Sequence, residues 1–173
     1  MWHLPGPRGA AGHLPPVCPD AHGAGLAMEL SPAGLELIKR SEGFRESVYT
    51  DVAGFPTIGY GHRLQPGESF PNGVTELEAQ AILTADAGDA EQAVSRLVKV
   101  TLTQGQYDAL VDFTFNLGSG RLAGSTMLKE LNEGHYAVAS ELLLAWDHAG
   151  GVVNSGLKAR RDAEYNLWMG EAA

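Results

Sequence analysis

Residues 42–62 constrain the fold of this chain more than any other segment, because a helical pattern gives way there to short β-type runs separated by glycines. Ahead of it, Ser31 can cap a helix with Pro32 at the first helical position. This pattern predicts a helix of about ten residues that ends near Glu42. The runs that follow, up to about Leu64, predict a small β hairpin.

Most of the remaining chain predicts helices. A capping-box pattern at Thr75 predicts a long helix to about Val98, and a second one at Thr103 opens a helix with an apolar face that is expected to be central. Ser125 can cap a short helix, and further helices follow, the last one after Asn154. We therefore predict an α+β fold with a mainly helical larger lobe, a small β-hairpin lobe and a cleft between them.

Length, composition and net charge limit the classes of protein to which this chain can belong. A chain of 173 residues fits one domain. Its single cysteine, Cys18, excludes an internal disulfide bond. The net charge of −9 argues against nucleic acid as a partner, since that binding depends on Lys and Arg contacts to phosphates. No apolar run reaches the length of about 18 residues that a membrane span needs, so no stable membrane anchor is expected.

Residues 1–27 differ from the rest, being rich in Gly, Ala, Pro and His without apolar periodicity. This composition predicts a disordered leader or a mis-set start, with Met28 as the natural first residue and residues 28–173 as the catalytic domain. Prolines and glycines interrupt every apolar run of this segment, so no secretory signal peptide is recognised.

Two carboxylates and a hydroxyl within residues 42–62 predict glycoside hydrolysis. Such a reaction needs one carboxylic acid to protonate the leaving oxygen and a second, ionised carboxylate across the sugar. The spacing suggests Glu42 as the acid, Asp51 as the base or electrostatic partner, and Thr57 as the holder of the attacking water. The alternatives are a solvated or capping role for the two acids and a strand role for Thr57.

The acid and the base require different surroundings. Glu42 must hold its proton, so we expect it to lie against apolar groups or in a hydrogen-bonding environment that raises its pKa, whereas Asp51 should stay ionised near water.

The chain resembles the phage-type lysozymes, the endolysins of glycoside hydrolase family 24. The resemblance rests on Glu42-Gly43-Phe44, Tyr49-Thr50-Asp51 and Thr57-Ile58-Gly59-Tyr60-Gly61-His62, followed by Gly105-Gln106-Tyr107-Asp108-Ala109-Leu110, Phe115-Asn116-Leu117-Gly118, Ser125-Thr126-Met127-Leu128 and Gly156-Leu157-Lys158-Ala159-Arg160-Arg161-Asp162-Ala163-Glu164. It implies a lysozyme-like fold and hydrolysis of the β-1,4 bond between N-acetylmuramic acid and N-acetylglucosamine in peptidoglycan, without a cofactor or metal. Carboxyl groups far enough apart to admit a water molecule would give inversion, which the resemblance favours, whereas a close approach would give a covalent intermediate and retention.

The same resemblance implies a biological setting. The protein is expected to be made in the host cytoplasm, to act as a monomer on the glycan strands of the wall or periplasm, and to lyse the host. A separate membrane-permeabilising protein of the holin type would release it.

Four further residues have open assignments. The resemblance places Phe115 and Asn116 beside the sugar groove, although the helical spacing of Phe115 equally suggests a core residue. Arg160 and Arg161 are expected to form a structural ion-pair site, or else to contact the anionic peptide of the wall.

We predict that His62 is a buried or ion-paired structural residue rather than a base. No pair of histidines has the i, i+4 spacing of a zinc hydrolase, so no metal site is expected.

Two rival functions remain open at this point. A lytic transglycosylase uses a single carboxylic acid and forms an anhydro sugar without water, and the presence of Asp51 and Thr57 beside Glu42 argues against it. An inactive wall-binding or virion structural domain could keep the same fold without turnover, because fold alone does not fix function.

Overall fold

A computed structural model describes residues 28–51 and 53–170. The predicted leader, residues 1–27, lies outside the described residues. Helices and short strands within them follow in this order: α1 Pro32–Glu42, β1 Arg45–Thr50, β2 Pro56–Gly59, β3 His62–Arg63, α2 Glu76–Leu97, α3 Gln104–Leu117, α4 Ser119–Ala123, α5 Thr126–Asn132, α6 Tyr136–Leu144, β4 His148–Ala149, β5 Val152–Val153 and α7 Ser155–Met169. The predicted α+β fold is confirmed.

Helix α1 has the bounds that its capping signals predict. The Ser31 hydroxyl accepts a hydrogen bond from the Gly34 amide, and Gly43, with φ of 72°, ends the helix. Ser31 is also tied to α3, because its amide donates to Asp108 Oδ1 at 3.0 Å and its hydroxyl donates to Asp108 Oδ2 at 2.5 Å. The helix that ends in Glu42 is therefore fixed at its start by the central helix.

The small lobe is a three-stranded antiparallel sheet in the order β1-β2-β3. The predicted hairpin is confirmed, and the short strand β3 extends it by pairing Arg63 with Thr57. Ile58 on β2 is fully buried and shares a hydrophobic cluster with Ile38 of α1 and Leu83 of α2. This cluster packs the sheet against α1, which precedes it in the sequence, and against α2, which follows it.

Helix α3 is the centre of the larger lobe, as its pattern predicts. Eight consecutive residues, Tyr107–Thr114, are buried, so the helix is enclosed on every side rather than along one stripe. Two of these eight are the carboxylates Asp108 and Asp112. Buried carboxylates require hydrogen-bonding partners. Asp108 finds them near Ser31, and Asp112 finds them on α7.

The structure adds two elements that were not predicted, helix α4 and the β4–β5 hairpin. The hairpin turn is Gly150-Gly151, with φ angles of 60° and 82°. Two successive positive φ angles are the mark of a type I′ turn, which glycine adopts without steric cost. The Gly-Gly pair ahead of Val152-Val153 was the available signal.

None of the described helices is long and apolar enough to cross a membrane.

Candidate active site

A groove of about 710 Å³ lies where three helices meet. The end of α1, the last turn of α3 and the first half of α7 form its walls. Its lining includes Leu37, Glu42, Asn116, Asn154, Leu157 and Arg160. The groove thus holds one predicted catalytic residue and one predicted sugar-binding residue, while Asp51 and Thr57 lie on the neighbouring sheet lobe.

Glu42 is the last residue of α1, and its side chain is 26% exposed. Its Oε1 accepts a hydrogen bond of 2.7 Å from Nη1 of Arg160. Its Oε2 lies beside Gly61, in the turn between β2 and β3. A Cβ atom added to this glycine would be 3.7 Å from Oε2. The predicted apolar environment is therefore only partial: Leu37 and Leu157 line the same groove, but the direct partner of the carboxyl group is a guanidinium.

Arg160 joins the acid to the central helix. Its Nε and Nη2 each donate to a different oxygen of Asp112, both at 2.8 Å, and its Nη1 remains for Glu42. Burial lowers the pKa of Arg160, but Asp112 and Glu42 together more than offset this and raise it above its ordinary value. Arg160 is therefore a permanent cation held in one orientation by a bidentate contact.

Arg161, the next residue, forms the second half of a buried charge cluster. Its Nη2 donates to Oε1 of Glu164 and, at 3.2 Å, to Oδ1 of Asn116. Burial is the main cause that raises the pKa of Glu164 well above its usual range, with Asp112 adding to the effect, and burial lowers the pKa of Arg161. The predicted ion-pair role of Arg160 and Arg161 is confirmed.

Asp51 lies in the turn after β1, with a side chain that is 15% exposed. Its Oδ1 accepts hydrogen bonds from the amides of Ala53 and Phe55 at 2.8 and 2.9 Å, and its Oδ2 accepts one from Arg63 Nε at 2.9 Å. The Phe55 amide, then the Ala53 amide and Arg63, lower the pKa of Asp51 despite the opposing effect of desolvation. Asp51 is thus ionised at neutral pH, as the sequence predicts.

Thr57 lies on β2 and is almost fully buried. Its hydroxyl donates to the carbonyl of Phe55 at 3.0 Å, so the backbone of Phe55 contacts both Asp51 and Thr57. The hydroxyl oxygen retains acceptor capacity for a water molecule. Within residues 28–51 and 53–170, no hydrogen bond or ion pair joins Glu42 to Asp51 or Thr57.

The two predicted sugar-contacting residues lie in different places. Asn116 lines the groove beside Glu42. Phe115 packs against both hydrophobic clusters and borders a separate cavity of about 310 Å³, together with Asp86 and Asp89. Its core role is thus visible, and its role in sugar binding stays a prediction.

His62 is ion-paired, as predicted. Its Nδ1 lies 2.9 Å from Asp86 Oδ2 on α2, and its Nε2 lies 2.9 Å from Glu68 Oε2. Burial lowers the pKa of His62, but the bonds to Glu68 and Asp86 outweigh it and raise the pKa above 6.5. His62 therefore links the sheet lobe to α2.

Sequence reasoning missed three residues that contact the site: Asp112, Glu164 and Arg63. Asp112 carried a usable signal, because a carboxylate within the apolar run Ala109–Phe113 demands a buried cation. Arg63 carried none, since its contact with Asp51 depends on how the sheet folds.

Comparison with known proteins places the chain in a family. The Phage lysozyme family model matches residues 39–164. The endolysin of Salmonella phage P22 is 41% identical over 126 residues, covering 71% of this chain and 86% of the relative. The endolysin of Bacillus phage B103 is 39% identical over 145 residues, covering 82% of this chain, and the chain spans about half of that relative's length, 54%.

Solved structures agree with this placement. The endolysin from Escherichia coli O157:H7 phage FAHEc1 aligns with a TM-score of 0.74 at 36% identity, covering 82% of this chain and 94% of that one. The chain belongs to the phage lysozyme family.

Proposed function

We propose that this protein is an endolysin: a lysozyme that hydrolyses the β-1,4 bond between N-acetylmuramic acid and N-acetylglucosamine in bacterial peptidoglycan and so lyses the host cell. Membership of the phage lysozyme family supports the activity. The observation that supports the assignment of individual residues is the position of Glu42. Its carboxyl group lies in the wall of the groove and is oriented by the buried Arg160.

The proposed mechanism assigns one step to each of three residues. Glu42 gives its proton to the leaving glycosidic oxygen as the bond from C1 to that oxygen breaks. A water molecule held by Thr57 attacks C1, and its proton passes to Asp51. The lowered pKa of Asp51 supports the ionised state that a base or an electrostatic partner requires. We propose inversion at C1, in keeping with the family resemblance.

The groove also supports a substrate-binding role for Asn116. Because Arg161 has only donors to offer, the contact at 3.2 Å assigns Oδ1 of Asn116 to the arginine and leaves its NH₂ group for another partner. We propose that Asn116 and, at the edge of the neighbouring cavity, Phe115 contact the glycan.

The test of this function is which bond of purified peptidoglycan is cleaved. We expect the enzyme to clear the suspension and to release new reducing sugar ends without new amino groups. Release of amino groups alone would indicate cleavage of the peptide. Binding to walls without any cleavage would favour a structural wall-binding domain.

Replacing Thr57 with Val is expected to lower the hydrolysis rate about 10- to 100-fold, because one well-placed hydrogen bond to the water is lost at nearly constant shape. Thr57→Ser is the matched control, since it keeps the hydroxyl and removes only a methyl group. Initial rates of reducing-end release measure both variants. Equal activity of Thr57→Val and wild type would limit Thr57 to a structural role.

The setting of the reaction is likewise a proposal. We infer that residues 28–173 form the catalytic domain, that the enzyme acts as a monomer, and that a separate permeabilising protein of the holin type gives it access to the wall. The domain bounds rest on the composition of residues 1–27 and the position of Met28, and the other two inferences follow from the family resemblance.

A further inference from the structure

The carboxylate of Asp51 is unusually well occupied for a group proposed to accept a proton. Two backbone amides, those of Ala53 and Phe55, donate to Oδ1. Two nitrogens of Arg63 lie beside Oδ2, with Nε and Nη2 each at 2.9 Å. An ionised carboxylate offers about four lone-pair sites. The four nitrogen atoms around Asp51 therefore leave little acceptor capacity for an attacking water.

The partners of Asp51 differ in how firmly they are held. The amides of Ala53 and Phe55 belong to a turn that is closed by two further bonds, from Asp51 N to Phe55 O and from Gly54 N to Asp51 O. The side chain of Arg63, in contrast, is 55% exposed. Ion pairs of exposed side chains are weak and are screened by salt. Arg63 is accordingly the partner that can be displaced without opening the turn.

Arg63 also contacts a second group, the aromatic ring of Phe55. Its guanidinium carbon lies 4.7 Å from the centre of the Phe55 ring, a contact that does not involve Asp51. This ring contact does not depend on the ion pair with Oδ2, so Arg63 keeps an aromatic partner when that pair is broken.

We propose that Arg63 is a latch on Asp51: it occupies Oδ2 in the free enzyme, and its release when the glycan binds opens this oxygen to the water that attacks C1. Arg63 is a positioning residue, which acts through Asp51 and takes no part in the chemical step. On release, the water donates one hydrogen bond to Oδ2, its oxygen bonds to C1, and its proton passes to Asp51 while Glu42 protonates the leaving oxygen. The inference rests on the proposed function.

Removing the latch should raise the turnover rate rather than lower it. Arg63→Gln and Arg63→Met both delete the guanidinium, and Met keeps an apolar stem over the Phe55 ring. With soluble peptidoglycan oligosaccharides at about 20 mM salt, we expect kcat to rise about two- to fivefold, the equivalent of one exposed ion pair, with KM within about twofold. At about 300 mM salt the difference should shrink, because screening already weakens the pair in the wild type.

Arg96→Gln is the matched control for the change of net charge. Arg96 lies on the exposed surface of α2, outside the groove that holds Glu42, and its replacement should leave kcat unchanged at both salt concentrations. The two Arg63 variants should also retain the wild-type melting temperature within a few degrees, which separates the effect on turnover from an effect on folding.

A rise in kcat that fades with salt supports the latch. An unchanged or lower kcat in both Arg63 variants, or a rise that persists at high salt, overturns it. The proposed function is tested separately by Asp51→Asn: loss of turnover there leaves the function standing whatever the Arg63 variants do, whereas full turnover would refute the role of Asp51 itself.

Discussion

Replacing Glu42 with Gln is expected to lower the rate of peptidoglycan hydrolysis by about 10²- to 10⁴-fold, the usual contribution of a general acid. The Gln amide has no proton to give to the leaving oxygen. Its carbonyl oxygen can still accept the hydrogen bond that Arg160 donates to Glu42, so the groove and the fold should be preserved. Initial rates of reducing-end release, together with the melting temperature, measure the two effects separately.

Glu36→Gln provides the control for this experiment. It makes the same chemical change on the same helix, at an exposed position that does not line the groove and that pairs with Lys39 and Arg40. Its activity should match the wild type within about twofold, as expected for an exposed charge. A Glu42→Gln enzyme that keeps more than about a tenth of the wild-type rate would show that another group supplies the proton.

Replacing Arg160 with Met is expected to reduce the free energy of unfolding by about 3–5 kcal/mol, because removal of one partner leaves an uncompensated charge in the protein interior. Asp112 is fully buried and receives two hydrogen bonds from Arg160. Without the guanidinium, the carboxylate of Asp112 stays buried in the larger lobe and loses the cation with which it pairs. Denaturant unfolding followed by circular dichroism measures the loss. The same variant should also be impaired in hydrolysis, since Glu42 loses the group that orients it.

Two further variants make this test specific. Lys158→Met removes a cation from the same helix, but from the exposed pair with Asp162, and should change stability far less. Combining Arg160→Met with Asp112→Leu removes both members of the buried pair and should recover much of the lost stability, without restoring hydrolysis. A loss for Arg160→Met no larger than that for Lys158→Met would contradict the stabilising role of the buried pair.

Local signals explain which parts of the molecule could be predicted from the sequence. The caps at Ser31, Thr75 and Thr103 act within three residues of themselves, so helix starts could be read directly. The α+β division followed from the change of period after Glu42. The catalytic candidates were found together because they occupy one short segment whose motif resembles a family.

Contacts over long sequence separations explain what could not be predicted. Arg160 and Glu42 are 118 positions apart, and the packing of α1 and α7 against α3 and against each other brings them together. The expectation of apolar surroundings for Glu42 came from its required chemistry, and nothing near it in sequence indicated a guanidinium. Strands β4 and β5 are too short, at two residues each, to show a period.

The proposed hydrolysis depends on Glu42 in the groove, on Asp51 of the neighbouring sheet lobe and on a water molecule between them. The most direct measurement is mass spectrometry of the fragments that the enzyme releases from purified peptidoglycan, beside the Glu42→Gln variant. We predict fragments that end in a reducing N-acetylmuramic acid and carry one added water, and almost none from the variant. Fragments that end in the anhydro sugar, or equal release by both proteins, would contradict it.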